Sequence, residues 1–472
     1  MSESIAEMIL PGTYIEVRAE GLISAGAIAT GNIGIVGTAA RGPRNEVRAL
    51  GSYAEALDLF GAYDSFVAPN VTDAPLSLTR ALEQAFRGGA RSVYAVRIAA
   101  GDPTASSLDV LTDGGDPAFT LTAVDPGTWG DAIEVKIVDE GAPGAANWKL
   151  TLTYRNITET YEGADVAAVH AALDTSSLVA VSDVENGTAG FATLDPAEAL
   201  GGGADEPVVS SIDVAAGLAE LEDEPVNIVL VAGFGSTAVR GVVGAHLERT
   251  ENEGDERIAV IGVADPGTAS DASAPLAEAS AILDDRIVLV APGLVSTDAA
   301  ARAVVDLPAS YLAAVVGGRM ATVAPHISLT NKTVAVDNLQ PKYTSTVYKN
   351  LLQNRMLLVR RKMGFQVVKA ITTDNGPFKQ ISIRRTVDYA KEGVRQSSDP
   401  YIGRLNNSRV RAALQATLDG FLSQMVLDEM LVSYELSVTA TRAQEIAGVA
   451  QVTLTLLPTF SIDFIRVTMN LQ

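Results

Sequence analysis

From residue 450 to the end of the chain, apolar side chains occupy alternate positions for longer than a single globular strand needs. Val452, Leu454 and Leu456 share one face; beyond Pro458 the pattern resumes at Phe460, Ile462 and Phe464, slips by one at Ile465, and continues through Val467, Met469 and Leu471. Polar residues fill the gaps. Period two marks a strand with one buried face, and the slip reads as a bulge that redirects the tail. A terminus this apolar requires a surface to dock on. The other end is similar: Thr13-Tyr14-Ile15-Glu16-Val17-Arg18 alternates behind Pro11-Gly12, and a small-residue run from Ala25 to Thr30 follows. Two such ends predict assembly by strand exchange between chains.

The length of 472 residues predicts about three domains. With 47% hydrophobic and 19% charged residues the chain reads as globular rather than disordered. No apolar run approaches the roughly 20 residues that span a bilayer, so membrane insertion is not expected. The start, Met1-Ser2-Glu3-Ser4-Ile5-Ala6-Glu7, is acidic where a signal peptide is basic, which predicts folding in the cytoplasm. The absence of cysteine excludes disulfides, thiolate metal sites and a cysteine nucleophile. His170, His246 and His326 lie too far apart in sequence to suggest a histidine-rich metal site or triad.

Charge divides the chain. Residues 1–324 carry 17 basic and 46 acidic residues, a net of −29, whereas residues 325–472 carry 18 and 11, a net of +7. The acidic body resists nucleic acid and nonspecific association, and the basic segment suits an acidic partner surface. Direct nucleic-acid binding is not expected, because the basic residues are not interleaved with aromatics and no reading helix accompanies them.

The pattern along the chain predicts an α/β multidomain protein. Strand-like runs at 226–231, 257–263 and 286–290 alternate with helical stretches near 237–249, 272–283 and 298–316, the signature of a parallel sheet covered by helices. The runs 33–37 and 92–97, with a helix near 75–87 between them, are expected in the same sheet. An insertion over 101–206 has short alternating strands such as 133–137 and 149–154, fenced by Asp-Pro-Gly turns and Gly201-Gly202-Gly203. The expected division is an N-terminal arm (1–24), an α/β domain (25–100 and 207–324), a β-rich insertion (101–206), an α+β C-terminal domain (325–450) and a C-terminal arm (451–472). Two helices stand out in the C-terminal part. One, near 344–358, places Val347, Leu351, Leu352 and Leu358 on one side and carries Lys349 and Arg355, with Arg360-Arg361-Lys362 just beyond. The other, near 409–431, sets Leu414, Leu418, Phe421, Leu422 and Met425 in one stripe, with Arg404, Arg409 and Arg411 at its start.

One constellation points toward an enzyme. Gly233-Phe234-Gly235-Ser236-Thr237-Ala238 fits the dinucleotide fingerprint G-x-G-x-x-A, and Asp265 ends the next strand. In a dinucleotide site such glycines admit a pyrophosphate to a helix N-terminus and an acid binds ribose. Here the acid comes about ten residues late, and Phe234 puts a ring where the crevice should be. Gly31-Asn32-Ile33-Gly34-Ile35-Val36-Gly37 fits less well, since its glycines lie within a strand. No P-loop, H-E-x-x-H or G-x-S-x-G occurs. No catalytic residue, metal or cofactor is expected.

A set of short landmarks runs in order through the chain: Pro11-Gly12-Thr13-Tyr14-Ile15-Glu16, Gly37-Thr38-Ala39 with Arg41-Gly42-Pro43, Phe60-Gly61, Phe86-Arg87-Gly88-Gly89-Ala90, Pro126-Gly127-Thr128-Trp129-Gly130, Ile381-Ser382-Ile383-Arg384-Arg385, and Phe464-Ile465 in the tail. Together they resemble the contractile tail sheath proteins of bacteriophages and related injection particles. The resemblance implies a structural subunit that forms six-subunit rings stacked around a tail tube, with baseplate and tail terminator proteins as further partners. It also implies assembly in a bacterial cytoplasm and residence in a virion tail or an extracellular injection particle. Its terminal arms, carrying Tyr14, Ile15, Val17, Phe460, Ile462, Phe464, Val467 and Met469, are expected to add to sheets of neighbouring subunits. Its basic region, through Lys349, Arg355, Arg360, Arg361, Lys362, Arg404, Arg409 and Arg411, is expected to face the tube, and the acidic insertion to face outward. Asp131 stands where the family often has Asn. The other readings are a nucleotide-binding enzyme and a different self-assembling shell protein.

Overall fold

The runs Ile33–Gly37, Ile258–Gly262 and Ile287–Ala291 contain no polar side chain, and a strand apolar on both sides must be covered on both faces. The computed structural model describes residues 28–64, 66, 76–99, 101, 103–142, 145–204 and 209–470. In it these runs join an eight-stranded sheet, in the order Phe365–Val367, Leu357–Arg361, Ile287–Ala291, Ile258–Gly262, Ile228–Gly235, Ile33–Gly37, Val93–Arg97, Val47–Leu50. The six inner strands are parallel and the two edge strands antiparallel. Alternate residues feed opposite faces. Ile258 and Val260 pack with helices Leu78–Gly88 and Ala309–Ala321, while Ala259 and Ile261 pack with helices Ser211–Ala219, Ser236–Glu253, Ser273–Ser280 and Ser345–Gln353. Where Leu78–Gly88 crosses Ala309–Ala321 the backbones touch: a Cβ on Gly88 would lie 2.4 Å from the Val315 carbonyl oxygen, and one on Gly318 2.1 Å from that of Ala85. Gly89 then ends its helix in the left-handed conformation, its N–H donating to the Ala85 and Phe86 carbonyls.

Besides the short helices Tyr53–Phe60, Val166–Leu173 and Ser211–Ala219, which were not foreseen, three elements differ from the sequence expectation. The helix expected at 298–316 starts only at Ala309, because Gly293–Asp298 and Ala303–Leu307 form an antiparallel hairpin with Asn338–Gln340 on its other side. Val304 and Val305 favour the strand, and Pro308 sets the start of the helix. The helix expected at 344–358 ends at Gln353: Arg355 takes a φ of +67° and Leu358 becomes a buried strand residue instead of part of the helix face. Both strands that follow belong to the large sheet. The third difference is a helix not foreseen, Ile381–Ser398, whose arginine-rich start hid its apolar face.

Residues 104–204 build two smaller sheets around a separate core. One has the order Leu194–Ala199, Glu134–Asp139, Trp148–Tyr154, Ile157–Gly163, and the other Ser107–Leu111, Pro117–Ala123, Val179–Val181. Trp148, Leu150, Leu152 and Tyr154 point inward from one strand to meet Phe119, Leu121 and Phe191. Burial of each such leucine contributes about 2 kcal/mol.

Chain contacts define two compact units, one of residues 29–388 with 460–470 and the other of residues 389–459. In the second, Asn407 caps the helix Ser408–Leu427 by accepting from the Val410 N–H at 2.9 Å. The foreseen stripe is its core: Leu414, Leu418, Leu422 and Met425 are buried, and Phe421 stacks on Tyr389 at 5.9 Å. They meet an antiparallel pair, Leu431–Thr439 with Gln451–Pro458, in which Leu436 faces Leu454 and Val438 faces Val452. Val452, Leu454 and Leu456 are half-buried and Gln451, Thr453 and Thr455 exposed, the alternation read from the sequence.

Candidate functional site

The glycine turn after Ile228–Gly235 leads directly into the helix Ser236–Glu253, the position where an anion would sit on a helix N-terminus. The chain sets its own carboxylate beside that place. The buried Glu278 carboxylate accepts from the Ser236 hydroxyl, from Ala264 N at 2.8 Å and from Asp265 N at 2.9 Å. A Cβ on Gly235 would lie 2.4 Å from the Ala264 Cα, so this glycine serves close packing between neighbouring turns. Asp265 binds its own loop through Gly267 N at 2.7 Å. The fingerprint residues therefore hold a strand-to-helix turn together, and among the described residues no cluster of acids and histidines suits a metal ion.

Two landmarks distant in sequence meet in space. Asp125 accepts from Gly42 N at 2.8 Å, and the buried Arg97 donates to the Gly42 carbonyl at 2.6 Å and to that of Pro126 at 3.1 Å. Arg41 lies over Trp129 and Tyr154, at 5.8 and 5.6 Å from the ring centroids. Arg41-Gly42-Pro43 and Pro126–Gly130 thus form the joint between the large sheet and the 104–204 sheets. Asp131 closes the same joint, accepting from Ser106 Oγ at 2.8 Å and Gly203 N at 2.9 Å. Both donors share Oδ1, an acceptor that an asparagine amide oxygen also provides, so the joint accommodates either residue.

The Ile381–Arg385 landmark is also an anchor. Arg385 is buried and donates to the carbonyls of Thr30 at 2.9 Å and Val323 at 3.3 Å; burial lowers its pKa to about 10. Arg384 pairs with Asp285 and Asp388, each at 2.7 Å, and Arg286 bridges Asp388 at 2.9 Å and Glu251 at 2.6 Å. Burial raises the pKa of Asp388, against the pull of Arg384 and Arg286. Removing one partner from such a buried network leaves a charge without compensation, which is strongly destabilising.

The eight basic residues singled out by sequence separate. Arg360, Arg361 and Lys362 crowd the exposed tip of the hairpin Leu357–Arg361/Phe365–Val367, whose turn closes by Lys362 N donating to the Gly364 carbonyl at 2.7 Å. Met363, at 92% exposure, stands among them. Lys349 is exposed on the helix Ser345–Gln353. Arg355 is turned inward, donating to the Ala279 carbonyl at 3.1 Å. In the unit 389–459, Arg404 and Arg409 are exposed, while Arg411 is tied to Glu445 at 3.0 Å and Asn406 at 2.8 Å. Sequence reading missed the exposed Ile402 and Leu405 beside them, two isolated aliphatics in a loop without periodicity.

The tail behaves differently from its first half. After Pro458 no strand forms over 459–470, and Phe460, Ile462, Phe464, Val467 and Met469 are 59–84% exposed. Period two persists in the sequence, yet the segment makes no ladder among the described residues. Tyr14, Ile15 and Val17 lie outside the described residues. Single exposed apolar residues are ordinary, but a continuous row of them marks an interaction site.

Residues 373–472 match the family described as phage tail sheath C-terminal domain. The whole chain shares the fold of solved sheath proteins. The sheath tail protein of Desulfitobacterium hafniense is 17% identical with a TM-score of 0.69, covering 95% of this chain and 100% of that one. The sheath tail protein of Listeria innocua is 14% identical at 0.65, covering 92% and 96%. The sheath of an extracellular contractile injection system in the contracted state is 12% identical at 0.58, covering 98% and 97%. No curated protein matches the sequence. The resemblance to contractile tail sheath proteins is thereby shown for the C-terminal region by sequence and for the whole chain by fold. This class of protein is structural, not enzymatic. No described helix is long and apolar enough to cross a membrane.

Proposed function

We propose that this chain is the structural subunit of a contractile tail sheath, forming six-subunit rings that stack helically around a tail tube and shorten to drive the tube through a target cell envelope. The observation that carries this reading is the row of exposed, alternating apolar residues from Phe460 to Met469 on a chain with a sheath fold. The pair Leu431–Thr439/Gln451–Pro458 is a sheet of two strands among the described residues, and each outer edge offers main-chain groups to an added strand. Arms from neighbouring copies, residues 1–24 and the tail, fill those edges. The basic hairpin tip, Lys349 and the Arg404/Arg409 surface face an acidic tube protein, and the 104–204 sheets face outward. Baseplate and terminator proteins cap the two ends of the stack. Assembly takes place in the host cytoplasm, and the finished sheath belongs to a virion tail or an injection particle.

Contraction on this reading needs no bond chemistry. Work comes from exchanging loose contacts between copies for larger ones, while the arms keep them linked. A nucleotide-binding enzyme is disfavoured because Glu278 sets a buried carboxylate against Ser236 at the start of the helix, where a phosphate would meet like charge. Deleting residues 460–472 tests the proposal. Thr459 still donates to the Met430 carbonyl, so the parent sheet is left complete. The shortened chain should fold and remain unable to form long polymers in electron micrographs; tubes formed without the tail would contradict strand exchange through it.

A further inference from the structure

The tail is exposed, yet its root is held. Asp463 accepts from Gln380 Nε2 at 3.3 Å and pairs with Lys369 Nζ at 3.3 Å; both members of the ion pair are largely buried. Ser461 donates from N and Oγ to Gln380 Oε1, each at 3.4 Å, and the Lys369 ammonium lies 5.0 Å from the Phe464 ring centroid. The platform is itself tied down. Ala370 N donates to Thr330 Oγ1 at 3.1 Å, Ile371 bridges Gln380, and Gln380 leads straight into the helix Ile381–Ser398 with its buried arginine anchors. Every one of these partners lies within the unit 29–388 with 460–470.

We infer that Lys369, Gln380 and Asp463 form a positioning joint that orders the tail before a second copy of this chain takes it up. The inference rests on the proposed role of the tail in assembly. The alternative use of such a contact is to store the tail against its own core, and that would bury its apolar side chains. Here Ile465, Val467 and Met469 remain 71–84% exposed beyond the joint, so the root is fixed while the docking face points away. A segment ordered in advance loses less conformational entropy on binding, and that saving appears as affinity.

The test uses the full chain. Asp463→Asn keeps the shape and removes the charge, and Lys369→Asp with Asp463→Lys reverses the pair. Because the chain has no cysteine, Asn470→Cys gives a single dye site near the tail end. The monomer of Asp463→Asn should melt within a few degrees of wild type, because Lys369 reaches solvent once the root loosens; its dye anisotropy should fall, and its critical concentration for polymerisation should rise about fivefold. The reversed pair restores the ion pair but neither the Gln380 Nε2 bond nor the contact with Phe464, so it should recover part of both. Unchanged anisotropy and critical concentration in Asp463→Asn would overturn the joint, and so would failure of the reversed pair to recover either. Polymerisation by the chain lacking 460–472 would instead refute the role of the tail itself, whatever the anisotropy shows.

Discussion

Replacing Glu278 by alanine removes the acceptor that three donors share. Ser236 Oγ is fully buried, and Ala264 N and Asp265 N are partly buried. Each bond to a charged group is worth about 1.5–3 kcal/mol, and a donor left near the surface recovers part of that from water. The net loss should be about 3–5 kcal/mol. One kcal/mol moves the melting temperature of a domain of this size by about 2–4 °C or less, so a fall of about 5–10 °C is expected. Glu278→Gln keeps one acceptor oxygen and turns an amide N–H2 toward the remaining donor, so its melting temperature should fall between those of wild type and alanine. Differential scanning calorimetry reads both, and adding millimolar ATP or NAD should shift neither variant. A Glu278→Ala chain that melts within a degree of wild type would refute the reasoning that Glu278 plugs this turn. A nucleotide-dependent rise in that variant would show the turn to be a masked phosphate site.

Two further outcomes follow from the structure. His246 is buried between Arg257, whose guanidinium contacts Nε2 at 3.1 Å, and Glu222 at 3.9 Å, and burial, then Arg257 and Arg249, lower its pKa from 6.5 to about 3. The unfolded imidazole takes a proton below pH 6.5 and the folded one does not until about pH 3, so stability is lost as pH falls through that window. Urea denaturation should show wild type losing about 2 kcal/mol more than His246→Gln between pH 7.5 and 5; equal losses would contradict this. Arg360, Arg361 and Lys362 changed together to Glu should leave melting unchanged and weaken co-sedimentation with an acidic tube protein, and raised salt should partly mimic the change in wild type, since exposed pairs are worth about 0.2–1 kcal/mol each and are screened. Salt-independent, undiminished co-sedimentation would remove this hairpin tip from the tube-facing surface.

Periodicity made much of the fold legible. The apolar runs of the large sheet, the stripe Leu414–Met425 and the alternation at Val452–Leu456 each appear at their foreseen place, because burial on a strand or helix face imposes a period that side chains must obey. The failures share a cause. At 298–316 and 344–358 the chain carries apolar residues compatible with either period, and local backbone features decided: Pro308, and the left-handed turn at Arg355. Ile381–Ser398 escaped notice because its buried face contains Arg384 and Arg385, whose partners are Asp285, Asp388 and two carbonyls distant in sequence. The same holds for the sites. The tail was visible as a pattern, but its joint depends on Asp463 meeting Gln380 from 83 residues away and Lys369 from still farther, which no local spacing reveals. Arg355 and Arg411 looked identical to Arg360 until their inward partners, the Ala279 carbonyl and Glu445, were in place.

Electron cryomicroscopy of the purified full chain, alone and with a tail tube protein expressed from the same source, tests the central claim most directly. The account predicts hollow cylinders with six copies per ring, in which density leaves one copy beyond the joint at Asp463 and runs over residues 465–470 as an added strand along the Leu431–Thr439/Gln451–Pro458 sheet of another. Monomers at all concentrations, or flat lattices whose copies touch without exchanging the tail, would contradict it.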